Sequence, residues 1–252
     1  MLIDIHTHIQ HFSEQDLGIL IKNSRFKNID IIIAAGTTLS DSNQALKLAN
    51  NFKEIYAAVG IHPQNILDEN TDNYLNKLEK LIQSKKTIMV SEIGLDFQEN
   101  SVDIKLQRKF FSEQINLAKN TNLPIAFHVR NAEKEAINII KSEKVNEIKS
   151  VAHYFSGNYE YAKKLLDNGI FISIAKPFLR DKELSSTIKK LPLDRLVIET
   201  DSYPQYFKKN RTRWTEPKDI YIIIEKLSSI FEKSNEEIKE IISANSKYIL
   251  SI

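Results

Sequence analysis

The chain begins with two histidines whose spacing suits a metal ion. His6 and His8 follow Leu2, Ile3 and Ile5, which predict a short apolar strand. Residues i and i+2 of a strand leave the backbone on the same side, so the two imidazoles should point together. Neutral imidazole suits zinc, manganese, iron or nickel. Two nearby histidines are weak evidence alone, and a metal site needs further ligands at the same place.

Further residues of ligand type lie at the predicted ends of other strands. They are Glu92, His128, His153 and Asp201. Each alone has an ordinary structural explanation, such as capping a helix, bonding a buried carbonyl or pairing with an arginine. Together with the first pair they place nitrogen and oxygen donors at five strand ends, and they include four of the six histidines in the chain. We therefore predict one metal site built from all six residues.

Glu92 is the predicted bridge of that site, because a carboxylate has two oxygens and histidines flank it on both sides. Two divalent ions roughly 3.5–4 Å apart suit phosphoester hydrolysis, since they clamp the phosphate and lower the pKa of a bound water. The residues themselves therefore favour a metal-activated water that attacks phosphorus. Asp201 is the candidate acceptor of the proton of that water.

The elements that position these residues alternate between strand and helix. After the first strand, further strands are predicted at residues 30–36, 55–61, 87–94, 123–128, 148–153, 169–175 and 195–201. Helices are predicted at residues 13–27, 41–53, 72–85, 103–122, 132–144, 158–168, 181–190 and 217–231, with a last helix after the capping box of Ser234 and Glu237. This pattern predicts an α/β fold, a TIM-like (β/α)8 barrel forming a single domain over residues 1–252, with the C-terminal helices packed on it. A doubly wound open sheet is the alternative, but no Gly-x-Gly-x-x-Gly motif follows a strand.

Composition narrows the class of protein. The net charge is only +2, so a polyanion would have to be bound by a local patch rather than by a global field. The chain has no cysteine, which excludes disulfides and thiolate metal sites. The first residues lead directly into a strand, and no apolar run of about 18 residues occurs, so we expect a soluble cytoplasmic protein.

Candidate substrate-binding residues lie after the strands on the same face. Arg130 follows the fifth strand and could meet a phosphate, although an ion pair with Asp96 or Glu133 is an equal alternative. His62 could donate to the leaving oxygen or to the phosphate, and a structural hydrogen bond before Pro63 is an equal alternative. A basic and aromatic loop follows the eighth strand and contains Tyr206, Phe207, Lys208, Lys209, Arg211, Arg213 and Trp214.

The motifs, taken in order, resemble the TatD-type metal-dependent deoxyribonucleases of the amidohydrolase superfamily, and the resemblance spans the whole chain. They are Asp4-Ile5-His6-Thr7-His8, Gly60-Ile61-His62-Pro63, Glu92-Ile93-Gly94-Leu95-Asp96-Phe97, Leu123-Pro124-Ile125, His128-Val129-Arg130, His153-Tyr154-Phe155-Ser156-Gly157, Leu193-Asp194-Arg195-Leu196, Glu199-Thr200-Asp201 and Asn245.

The resemblance implies a barrel with one or two divalent ions of magnesium, manganese or zinc. It assigns His6, His8, Glu92 and Asp201 to the first ion, and it assigns Glu92, His128 and His153 to the second. It also implies hydrolysis of DNA, often from a 3′ end, so we expect single-stranded DNA or nucleotide 3′ ends as substrate. We expect a monomer without a membrane partner.

Three stretches depart from the family pattern. Ser91 replaces the usual glycine, Ser202-Tyr203-Pro204 replaces Ser-Pro-Tyr, and Arg213-Trp214-Thr215-Glu216-Pro217 replaces Arg-Asn-Glu-Pro. None removes a predicted ligand, so they bear on substrate preference. Two alternatives stay open: a hydrolase of carbon–nitrogen or ester bonds, such as an amidase, deaminase, lactonase or deacylase, and a non-catalytic nucleic-acid-binding or partner-binding barrel.

Overall fold

Eight parallel strands form one sheet in the order of the chain, which confirms the predicted barrel. The structure, a computed structural model, describes residues 1–69, 73–208 and 213–252. The strands are β1 (Ile3–Thr7), β2 (Ile31–Ala35), β3 (Ile55–Val59), β4 (Thr87–Asp96), β5 (Ile125–Arg130), β6 (Ser150–Ala152), β7 (Phe171–Ile174) and β8 (Leu196–Ile198).

The described helices surround this sheet, and most of them connect consecutive strands. They are α1 (Glu14–Phe26), α2 (Leu39–Asn51), α3 (Ile66–Glu69), α4 (Tyr74–Ile82), α5 (Ile104–Thr121), α6 (Glu133–Ser142), α7 (Tyr159–Asp167), α8 (Lys182–Ile188), α9 (Ile220–Phe231) and α10 (Asn235–Leu250). Short 3-10 turns lie at Ile9–His11, Pro63–Asn65, Val145–Glu147, Lys176–Leu179, Leu193–Arg195 and Pro217–Asp219. Within the described ranges, no helix has the length and apolar character needed to cross a membrane.

The first and last strands meet and nearly close the barrel. The backbone nitrogen of His8 donates to the carbonyl of Ser202 over 2.8 Å, and that of Asp201 donates to the carbonyl of His6 over 3.1 Å. These bonds lie just beyond the regular ladder of β8. They bring the start and end of the predicted metal site to the same edge, so closure of the fold itself assembles part of the site.

An apolar layer fills the barrel interior. It contains Ile3, Ile5, Ile31, Ile33, Ala35, Ala58, Met89, Ala126, Val151, Phe171 and Val197. Ile249 and Leu250 of α10 belong to the same cluster, so this helix packs on the barrel as predicted. The capping box of Ser234 and Glu237 at the start of α10 is also present.

Several predicted boundaries are wrong, mainly at strand ends that carry polar residues. β8 ends at Ile198 rather than at Asp201, because its pairing with β7 ends there, opposite Ile174, and Asp201 itself adopts a left-handed conformation with φ 48°. β4 continues to Asp96, two residues beyond the prediction. The helix predicted at 72–85 is α4, which starts at Tyr74 and ends at Ile82. The polar strand ends are thus irregular where the candidate site lies.

Candidate metal centre

Glu92 lies in the middle of a ring of histidines. Its carboxylate is nearly buried at the end of the barrel. Oε2 is 3.6 Å from Nε2 of His6 and 3.3 Å from Nε2 of His8. Oε1 is 3.2 Å from Nδ1 of His128 and 3.4 Å from Nε2 of His153. The two oxygens of one carboxylate therefore face two different pairs of imidazoles.

Asp201 adds a second carboxylate beside the first pair. Its Oδ1 lies 3.4 Å from Nε2 of His8. This oxygen is buried, yet no hydrogen bond reaches it within the described residues. A buried carboxylate oxygen without a donor is costly, because the water it gave up has not been replaced. A bound cation would satisfy this oxygen, so its environment fits a metal ligand.

The donor atoms fall into compact groups that suit hard or borderline divalent ions. The ligand atoms of each group lie within 4.8 Å of one another, and the groups include His6 with His8 and Glu92, and Glu92 with His128 and His153. Asp201 forms a further group with His6 and His153. The donors of these groups are imidazole nitrogens and carboxylate oxygens. Such a set suits zinc, manganese or magnesium, and the preference of these ions for oxygen ligands increases in that order.

The histidines hold Glu92 in its charged form. Burial alone would raise the pKa of Glu92, but the charge of His153 and the hydrogen bonds of His128 and His153 hold that pKa well below its usual range. Burial likewise opposes a charge on His8, whereas its hydrogen bond to Glu92 and the charge of Asp201 raise the pKa of His8 to about 9. Glu92 therefore offers an ionised carboxylate to a cation, whereas His8 must lose a proton before it can bind one.

Glu199 is another buried carboxylate, and it lies behind the ring of histidines. Nδ1 of His153 is 2.8 Å from Oε1 of Glu199, which is fully buried. Glu199 also accepts hydrogen bonds from the hydroxyl of Ser173 over 2.5 Å and from the backbone nitrogen of Tyr154 over 2.8 Å. With its Nδ1 side engaged by Glu199, His153 presents Nε2 to the centre, which is the orientation that metal-binding histidines require.

His62 extends the ring on the side of His128. Its Nδ1 accepts a hydrogen bond from the backbone nitrogen of Gln64 over 3.1 Å, and its Nε2 lies 3.6 Å from Oε1 of Glu92. Burial, against the attraction of Glu92, lowers the pKa of His62 to about 4. The ring is thus neutral, and because Nδ1 accepts, the proton is carried by Nε2, which points into the site.

The other predicted substrate-binding residues lie in different surroundings, and not all of them are free to meet a substrate. Arg130 is half exposed at the mouth, with Nη1 3.9 Å from Oδ2 of Asp96, which is one of the two alternatives predicted for it. Arg213 forms an ion pair with the buried Asp219. Trp214 packs edge to face against Tyr206, with ring centroids 5.2 Å apart. Lys209 and Arg211 lie outside the described residues.

The six ligand candidates predicted from the sequence lie together, but the sequence predicts no role for the carboxylates behind them in orienting the histidines. Glu199 backs His153, and Asp96 backs His128, whose Nε2 lies 3.3 Å from Oδ2 of Asp96. A signal for Glu199 existed in the predicted strand at residues 195–201, where alternation would place it on the same side as Asp201. A histidine ligand with a free second nitrogen also requires a partner of this kind.

Comparison with known proteins gives a consistent result over the full length. A family model described as TatD related DNase matches residues 3–251. "Uncharacterized metal-dependent hydrolase YabD" of Bacillus subtilis is 30% identical, and the match covers 100% of this chain and 100% of that protein. "Deoxyribonuclease Tat-D" of Schizosaccharomyces pombe is 26% identical, and the match covers 98% of this chain and 90% of that protein. The crystal structure of the TatD homologue YJJV from Escherichia coli superimposes with a TM-score of 0.89 at 25% identity, covering 100% of this chain and 98% of that one.

Proposed function

Because this chain belongs to the TatD-related DNase family and is a metal-dependent hydrolase, we propose that it hydrolyses phosphodiester bonds of DNA at the 3′ ends of single strands. The proposal includes two divalent ions, one on each side of Glu92. His6, His8, Glu92 and Asp201 would hold the first ion, and Glu92, His128 and His153 would hold the second.

The single observation that carries this proposal is the position of Glu92. Its two oxygens face separate histidine pairs at 3.2–3.6 Å. Donor atoms that share an ion lie at such separations, because ligand bonds of about 2.0–2.2 Å set the distance between neighbouring ligands. One carboxylate between two such pairs could therefore help to hold two ions at once, and sites with two ions support hydrolysis of phosphate esters.

Bound ions would supply charge neutralisation of the phosphate and activation of a water molecule. The residues of the chain perform the remaining steps. The side chain of Asp201 is 27% exposed toward the mouth, so one oxygen can bind an ion while the other accepts the proton of the water. His62 carries its proton on Nε2 toward the centre, and this nitrogen would donate a hydrogen bond to the leaving oxygen while keeping its proton.

Arg130 is the residue of the described chain best placed to orient the substrate. It stands half exposed at the mouth, tied only loosely to Asp96. A guanidinium forms paired hydrogen bonds with phosphate oxygens, and such contacts fix the register of a nucleic-acid strand. Arg130 would therefore hold the phosphate next to the scissile one.

The test is hydrolysis of a 5′-labelled single-stranded oligonucleotide by the manganese-loaded protein. We expect stepwise shortening from the 3′ end, loss of turnover in Asp201→Asn, and retention in the control Asp167→Asn, which changes an exposed carboxylate on α7. DNA hydrolysis by Asp201→Asn at the wild-type rate would overturn the role of Asp201. An intact oligonucleotide together with turnover of an amide or lactone panel would replace the proposal by the carbon–nitrogen or ester hydrolase.

A further inference from the structure

Tyr203 is an exposed aromatic residue held at the rim of the metal centre. It follows Asp201 by two residues, and 42% of it is exposed. The residues on both sides of it, Ser202 and Pro204, are buried. The hydroxyl of Ser202 donates to the carbonyl of Thr215 over 2.5 Å, and its carbonyl accepts from the backbone of His8. The backbone is therefore anchored around a side chain that faces solvent.

His11 supports the Tyr203 ring from one side. The two ring centroids are 5.5 Å apart, with the planes at 72°. Nε2 of His11 lies 3.2 Å from Oδ1 of Asp41, a buried carboxylate that also accepts hydrogen bonds from the side chain of Gln10 and from the backbone of Thr37. Edge-to-face contact with a held ring favours one orientation of Tyr203.

Tyr203 also contacts the metal centre directly. Its ring centroid is 6.3 Å from that of His8, with the planes at 86°. The nearby Tyr206 differs, because its hydroxyl donates to Asp16 over 2.6 Å and accepts from the backbone of Ser13. Within the described residues, no hydrogen bond is formed by the hydroxyl of Tyr203. The structure thus gives Tyr206 a packing role and leaves Tyr203 available to a ligand.

The position of this ring beside the centre identifies the chemistry that fits it. In a nucleic acid, only a sugar separates each base from its phosphate, so a phosphate at the ions places a base at the rim. Exposed aromatic rings bind the flat faces of unpaired bases, and this stacking tolerates any base sequence. We propose that Tyr203, supported by His11, is a stacking subsite for one unpaired base next to the scissile phosphate. This inference rests on the proposed action on DNA.

The kinetic test compares two single-stranded oligonucleotides with the manganese-loaded protein. One carries bases throughout, and the other has abasic residues on both sides of the scissile phosphate. We expect the Tyr203→Ala substitution to raise KM about tenfold for the first substrate and to leave the second unchanged. Tyr203→Phe should keep the wild-type KM because it retains the ring, and His11→Ala should raise the KM less than Tyr203→Ala does. The control is Tyr248→Ala, which removes an exposed tyrosine on α10.

A binding test separates the subsite from turnover. An oligonucleotide with 2-aminopurine at its 3′ end is titrated with Asp201→Asn protein, and stacking should quench its fluorescence. The quench should disappear when Tyr203→Ala is added to that variant. Equal KM values and equal quenching with and without Tyr203 would overturn the subsite while DNA hydrolysis stands. Absence of DNA hydrolysis by the wild-type protein would instead refute the proposed function, and absence of any quench would refute the subsite.

Discussion

Nδ1 of His153 lies 2.8 Å from Oε1 of Glu199, and this contact turns the other nitrogen of the ring toward Glu92. Glu199 is itself held by Ser173 and by the backbone of Tyr154. The centre therefore consists of a ring of ligand candidates and an outer carboxylate that fixes one of them. The two parts can be separated by experiment.

Glu199→Gln should weaken metal binding without unfolding the barrel. The amide keeps the size of the side chain but loses the charge that orients His153, and such outer partners typically change metal affinity by about 10–100-fold. Titration calorimetry with Mn²⁺ measures the affinity, and circular dichroism checks the fold. Glu160→Gln, an exposed position on α7, serves as control. Unchanged affinity in Glu199→Gln would show that this contact does not position His153.

His62→Ala should separate stabilisation of the leaving oxygen from metal binding. His62 is neutral and directs its Nε2 toward Glu92, but it belongs to neither proposed ligand set. Loss of one hydrogen-bond donor to a developing oxyanion typically lowers kcat by about 10²–10³-fold. We expect that loss with an unchanged metal content by elemental analysis. A lowered metal content would instead place His62 among the ligands.

Metal binding by the ion-free protein should release protons below about pH 9. The pKa of His8 lies near 9 in the absence of ions, so the ring is protonated at pH 7 and must lose that proton to become a ligand. The affinity for Mn²⁺ should therefore rise from pH 7 to pH 9, by up to about tenfold per pH unit for each proton released. Calorimetry in two buffers with different ionisation enthalpies counts the protons, and a binding enthalpy independent of buffer would contradict the expectation.

Gly94→Ala should destabilise the fold at the site. Gly94 has φ 135°, and an added Cβ would collide with the carbonyl oxygen of His128 on β5. Strain of this kind costs about 1–3 kcal/mol before the collision is counted. Urea denaturation measures the change. The matched control is Gly18→Ala in α1, where no atom lies within 4 Å of the added Cβ and a gain of about 0.5–1 kcal/mol is expected. Equal stability of the two variants would exclude the steric explanation.

The barrel could be predicted because its signals are local and repeated. Each buried strand, such as β2, is a continuous apolar run, and each helix shows its own apolar face or cap, as Ser234 does at α10. Convergence of the six ligand candidates followed from the fold, because the carboxyl ends of parallel strands meet on one face. The barrel and the convergence of its ligand candidates can therefore be predicted from local pattern and overall topology together.

The rest depends on side-chain geometry that spacing does not encode. Nothing in the order of residues indicates that Asp41 holds His11 against Tyr203, because these residues come from three separate segments. Local pattern also does not indicate the end of β8, since the pairing with β7 ends at Ile198 and the backbone of Asp201 instead donates to His6 of β1. Long-range contacts of this kind decide the details of the site.

The central claim is that Glu92 bridges two divalent ions. The most direct measurement is an anomalous difference map from crystals of the protein loaded with Mn²⁺. The account predicts two peaks on opposite sides of the Glu92 carboxylate, one beside His6 and His8 and the other beside His128 and His153. A loaded crystal with a single peak beside Glu92, or with none, would contradict it.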